Sequence, residues 1–157
     1  LLIMAVEIER KFLVVGTEWQ SLAEGVLYRQ GYLSSAKERV VRVRTAGPDA
    51  FLTIKGFTTG VTRLEFEYPI PFDDATAMLD RVCERPLIAK TRYRIPVGGF
   101  TWEVDQFHEE NEGLVVAEIE LPDANTVFER PSWVGEEVSG DARYFNANLI
   151  QHPFSRW

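Results

Sequence analysis

A chain of 157 residues, 45% hydrophobic and with a formal net charge of −7, is long enough for one compact domain and too apolar for a disordered one. The acidic balance excludes a general nucleic-acid surface and an anionic-membrane surface. One cysteine, Cys83, excludes an internal disulfide, and two histidines, His108 and His152, argue against a His-rich zinc site.

The opening "LLIMAV" is apolar, but no positive charge precedes it, and it is too short for a signal peptide or a spanning helix. Residues 1–3 are expected to be an extension ahead of a single domain covering 4–157, in a soluble cytoplasmic protein. A period of two then dominates and predicts a strand over 5–14. A helix is expected over 17–25, with Thr17 as its cap and Gly25 as its stop. Strands follow at 26–34, 38–45, 50–57 and 61–69. A second helix, 73–84, opens on Asp73 and Asp74, which suit a helix N-terminus. Three more strands occupy 88–97, 100–107 and 113–121, and a third helix, 141–151, starts at Asp141 and stops before Pro153. The breaks "AGPDA" (46–50), "FTTG" (57–60), "VGG" (97–99) and "HEENEG" (108–113) carry turn residues, so neighbouring strands are expected to run antiparallel.

Charge follows the same period. Glu7, Glu9 and Lys11 stand two apart. So do Arg42 and Arg44, then Arg63, Glu65 and Glu67, then Lys90, Arg92 and Arg94. Glu103 with Asp105, and Glu118 with Glu120, complete the set together with Lys55. Sixteen of the 41 charged residues (24 acidic, 17 basic) share this register. Residues i and i+2 of a strand lie on one face. On any single strand this is an ordinary solvated face. Here acids gather on the first and the last two strands and bases on the third, fourth and sixth, which scattered surface polarity would not produce. Eight strands are enough to close a barrel, and closed with this face inward they would line a charged cavity. Clustered carboxylates suit Mg2+ or Mn2+, and clustered Arg and Lys suit phosphate oxygens. A membrane-spanning barrel shares the polar interior, but helices interrupt these strands. The apolar outside must then be covered by those helices or by a second copy in a homodimer.

The motifs "EIERKFLV" (7–14), "RQGYL" (29–33), "VRVR" (41–44), "TIKG" (53–56), "RLEFEY" (63–68), "KTRY" (90–93), "WEVDQF" (102–107), "AEIEL" (117–121) and "WVGEEVSGDARYFNANL" (133–149) occur in this order. In this set the chain resembles the CYTH superfamily, the triphosphate tunnel metalloenzymes, and most resembles its short bacterial members. The resemblance implies a mainly β (α+β) fold: a closed eight-stranded antiparallel barrel forming a tunnel, flanked by helices. It implies metal binding by Glu7, Glu9, Glu118 and Glu120, and phosphate binding by Lys11, Arg42, Arg44, Lys55, Arg63, Lys90 and Arg92. It implies joint catalysis by Lys90 and Tyr32. Glu65, Glu67, Glu103 and Asp105 are expected to orient the bases.

The function expected is metal-dependent hydrolysis of a linear triphosphate, foremost inorganic tripolyphosphate, to pyrophosphate and phosphate. No inserted segment offers a base or thiazole pocket, which sets adenylate cyclase and thiamine or nucleoside triphosphatase activity second. A non-catalytic polyphosphate-binding module comes third, because phosphate binding alone needs no set of four carboxylates. Arg10, pointing with the apolar set of its strand, has no role beyond a surface or interface contact. His108 is expected to be a solvent-exposed turn residue and Cys83 a buried small hydrophobe.

Overall fold

A computed structural model describes the backbone of residues 2–4, 8–57 and 63–157, and the side chains of 8–57 and 64–157. The chain forms two compact units, residues 1–6 with 27–89 and residues 7–26 with 90–157.

The first unit carries β1 (Leu2–Met4), most of β3 (Gly25–Ala36), β4 (Arg39–Ala46), β5 (Asp49–Gly56) and β6 (Arg63–Pro69), in the order β1-β6-β5-β4-β3. All pairs are antiparallel. Helix α1 (Phe72–Arg81) presents Ala75 and Leu79, one turn apart, and with Cys83 it packs against Val43 and Ala50 of the sheet. Burial pushes the Cys83 thiol up, so it behaves as the small hydrophobe expected. Gly31 makes this close packing feasible. A Cβ there would stand 2.6 Å from the Leu87 Cδ2 and 3.0 Å from the Cys83 Cβ.

The second unit carries β2 (Ile8–Val14), most of β7 (Ile88–Val97), β8 (Phe100–Phe107), β9 (Val115–Leu121) and β10 (Val134–Glu137), in the order β7-β8-β9-β2-β10. Gly98 and Gly99, with φ of +56° and +85°, make the two-residue turn between β7 and β8. Both central positions of such a turn need positive φ, which glycine adopts without strain. One sheet face carries the core. Phe12, Trp102, Val104, Ala117, Ile119 and Leu121 bury there with Ile95, Trp19 and Trp133. Aromatic rings meet edge-on: Phe12 with Trp102 at 5.5 Å, and Trp102 with Trp133 at 5.8 Å. With Phe12 buried in this core, alternation along β2 turns Glu9 and Lys11 to the opposite face.

Several expectations change. Among the described residues the strands number ten rather than eight, because the short β1 and β10 add to the eight predicted. Leu2 and Ile3, from the extension expected ahead of the domain, pair with β6 alongside Met4. Among the described residues β1 pairs with β6 alone and β10 with β2 alone, so they do not show the closure expected of the barrel. The helix expected over 17–25 is a 3-10 turn, Glu18–Ser21, with no side-chain cap from Thr17. There Trp19 is buried and donates through Nε1 to the Gly16 carbonyl. The helix expected over 141–151 splits into a 3-10 turn, Ala142–Tyr144, and α2 (Asn146–Gln151), with Phe145 extended between them. Lys11 Nζ donates to the Tyr144 carbonyl at 3.3 Å, and Tyr144 stacks edge-on with Trp157 at 5.0 Å. These contacts hold Tyr144 where a continuous helix would carry it away.

Candidate active site

In the second unit strand register sets the charges in rows. Arg94 lies across from Glu103, Glu103 from Glu118, and Glu118 from Lys11. Beside this row Glu9 faces Glu120 directly. Like charges opposite each other on antiparallel strands repel. Glu9 is an exposed residue, yet its carboxyl is raised above the ordinary 4.5, by burial first and then by the charges of Glu118, Glu120 and Glu103, against the opposing pull of Lys11. Lys11 relieves part of this crowding through an ion pair with Glu118 at 3.0 Å, and its ammonium also lies 5.4 Å from the Phe145 ring centre.

Carboxylate oxygens crowded at cost are donors that fit a hard divalent cation. Glu9, Glu118 and Glu120 are brought together. Glu7, the fourth member of the expected set, lies outside the described residues. Among the described residues no three acids already converge at metal-binding distance.

One strand over, a buried cluster surrounds Asp105. Lys90 Nζ lies 2.8 Å from one carboxylate oxygen with its side chain fully buried. Arg92 donates to both oxygens, from Nε at 2.7 Å and Nη2 at 2.8 Å. Burial alone would raise the Asp105 carboxyl, but the Lys90 charge and the Arg92 hydrogen bonds overcome it and hold it at about 2. Arg92 is correspondingly raised: burial opposes its charge, and the bonds and charge of Asp105 prevail. Arg92 also reaches Glu103 at 3.4 Å, and the more exposed Arg94 reaches the same carboxylate. Two acids thus hold three bases in fixed positions.

In the first unit a second charged face forms. Tyr32 lies across from Arg42, Arg42 from Thr53, and Thr53 from Glu67. Thr53, fully buried, donates to Glu67 at 2.9 Å and accepts from Arg42 Nη2 at 3.4 Å. Arg42 and Glu67 stand 4.0 Å apart, and Lys55 pairs with Glu65 at 3.3 Å. Arg44 donates through Nε at 2.9 Å and Nη2 at 2.7 Å to the Gln30 side-chain carbonyl. Arg63 belongs to β6, and its side chain lies outside the described residues. Tyr32 and Lys90 lie in different units.

Sequence reasoning passes over Gln30 and Thr53. Their only signal is parity: Thr53 stands two residues from Lys55 and Gln30 two from Tyr32, but neutral side chains do not mark a charged face. Arg10 pairs with Glu137, Nε at 2.9 Å and Nη2 at 2.6 Å, while its guanidinium sits 5.0 Å from the Phe128 ring centre. That contact holds the Glu137 carboxyl at about 2. His108 is half-buried rather than exposed, with Nε2 2.7 Å from the Thr91 hydroxyl.

The family model described as CYTH domain matches residues 5–154. The chain is 54% identical over 154 residues to an inorganic triphosphatase of Acetivibrio thermocellus, covering 98% of this chain and 99% of that protein. It is 38% identical over 150 residues to an inorganic triphosphatase of Nitrosomonas europaea, covering 91% and 95%. A crystal structure of an inorganic triphosphatase superposes with a TM-score of 0.73 at 33% identity, covering 94% of this chain and 95% of that one.

Proposed function

Because the chain belongs to the CYTH domain family, we propose that it hydrolyses inorganic tripolyphosphate to pyrophosphate and phosphate with the help of Mg2+ or Mn2+. The observation that carries the reading is Glu9 set directly across from Glu120, its carboxyl raised by burial first and then by the charges of Glu118 and Glu120, on a face that also holds buried, ordered cations. A bare phosphate-binding surface has no use for such acids. Glu7, Glu9, Glu118 and Glu120 would hold the metal, which when bound would offset phosphate charge and activate water.

The remaining work falls to the side chains. Lys11, Arg42, Arg44, Lys55, Arg63, Lys90 and Arg92 bind phosphate oxygens, where charge accumulates in the transition state. Asp105 and Glu103 fix Lys90 and Arg92, while Glu65 and Glu67 fix Lys55 and Arg42, so these donors need little reorganisation when substrate arrives. Tyr32 and Lys90 handle the proton at the leaving or attacking oxygen. The proposal carries with it the closed barrel and tunnel that the family resemblance implies. It also includes a cytoplasmic location, in keeping with the single reduced Cys83, and a homodimer. No described helix is long and apolar enough to cross a membrane.

The test gives purified protein tripolyphosphate, ATP and thiamine triphosphate, each with Mg2+ or Mn2+, and follows phosphate, pyrophosphate and cyclic AMP. Tripolyphosphate should be the preferred substrate. No turnover on any of them would leave a binding module, and cyclic AMP as main product would make the chain a cyclase. Sedimentation of the same sample tests the dimer.

A further inference from the structure

Gln30 sits in the first unit's charged face and is 1% exposed. Register places it across from Arg44, two residues before Tyr32 on the same strand face. Its side-chain carbonyl accepts both the Nε and the Nη2 of Arg44. An arginine only donates, so the Gln30 oxygen must face Arg44 and its Nε2 is turned the other way. That Nε2 is buried and has no hydrogen-bond partner among the described residues. A buried amide left without an acceptor is costly and calls for explanation.

The chemistry of the pair is informative beside Arg92. Arg92 receives the same two-point grip from the Asp105 carboxylate, which offsets its charge. Gln30 grips the same two nitrogens of Arg44 through a neutral group. The contact therefore orients the guanidinium and contributes no negative charge to its surroundings. Tyr28 backs the same guanidinium, its ring centre 5.4 Å away. The neighbouring Gly31 seats this part of β3 tightly against Leu87 and Cys83, so Gln30 has a rigid base.

We propose that Gln30 is a positioning residue for phosphate binding. Its Oε1 orients Arg44 without offsetting its charge, and its Nε2 donates a hydrogen bond to an oxygen of the phosphate that Arg44 holds. The inference rests on the triphosphatase reading and adds to it a neutral residue that ranks with the charged clamps.

The test compares wild type with Gln30→Met, which keeps the volume but loses both hydrogen-bonding roles, and Gln30→Glu, which keeps the grip on Arg44 but adds a negative charge. Tripolyphosphate binding is measured by calorimetry without divalent metal, and kcat and KM with it. Gln30→Met should bind about tenfold more weakly, and Gln30→Glu about tenfold to a hundredfold, with KM rising more than kcat falls. Folded variants that bind tripolyphosphate as tightly as wild type would overturn the inference. If a variant does not fold, the wild-type protein decides. The Gln30 side-chain amide resonance should shift and exchange more slowly when tripolyphosphate is added, and an unmoved resonance refutes the donor role. Wild type that binds tripolyphosphate without hydrolysing it sinks the triphosphatase reading but leaves this one to the binding data. Wild type that does not bind it sinks both.

Discussion

Replacing Asp105 by asparagine removes one negative charge from between two buried cations while leaving the side chain's volume in place. Asp105 is 4% exposed, its Lys90 partner has no exposed side-chain surface, and Arg92 is 8% exposed. The Asp105 carboxyl titrates at about 2 against an ordinary 3.8, and at about 1.36 kcal/mol per pH unit the difference amounts to roughly 2 kcal/mol of stability at neutral pH. The substitution also strands Lys90 and Arg92 as uncompensated buried charges, a loss of about 3–5 kcal/mol when one partner of such a pair is removed. For a chain of this size that corresponds to a fall in melting temperature of roughly 10 °C. The pH dependence has a defined sign. A carboxyl whose folded pKa is depressed stabilises above its unfolded value and stops doing so as the pH falls through the folded value. Thermal unfolding followed by circular dichroism between neutral and acid pH should therefore show a large gap between wild type and Asp105→Asn above 3.8, closing toward about 2. A gap under about 1 kcal/mol at neutral pH, below the worth of a buried charge pair, or a gap that does not change with pH, would refute the account of this cluster.

Glu9 has the opposite sign. Its raised carboxyl favours the folded state only below the ordinary 4.5 and works against it as the pH rises through the folded value. Glu9→Gln should raise the melting temperature of the metal-free protein at neutral pH, lose that advantage below 4.5, and gain less than wild type from added Mg2+. Glu120→Gln should cost on the order of 10²–10³ in divalent-dependent turnover, and full activity would dismiss the metal assignment. Arg10→Ala breaks a partly exposed pair with Glu137, so stability should fall by about 0.5–1 kcal/mol with turnover unchanged, as chemical denaturation and phosphate release can show. Gly31→Ala should destabilise by about 1–3 kcal/mol in the same denaturation assay, because its Cβ would stand 2.6 Å from Leu87 Cδ2.

Most of the strands are legible because alternation is a local property. Val6, Ile8, Phe12 and Val14 against Glu7, Glu9 and Lys11 state both the strand and its two faces within nine residues. The same alternation is enough to place Arg42, Arg44, Lys90 and Arg92 on charged faces. The helix expected over 17–25 falls short because capping residues say where a helix can begin, while the burial of Trp19 decides how far it continues. The short β1 and β10 escape notice because a few residues carry too little period, and their pairing comes from a neighbouring strand.

What the sequence determined by itself was therefore the inventory of the site: which acids and bases lie on the charged faces, and that carboxylates and cations occur there together. The tertiary structure decided the partnerships. Asp105 holds both Lys90 and Arg92, Glu118 takes Lys11, Glu9 is left facing Glu120, and the neutral Gln30 grips Arg44. The physical reason is that parity along a strand is set by consecutive residues, whereas the residue opposite is set by register with another strand, which can lie tens of residues away in the chain.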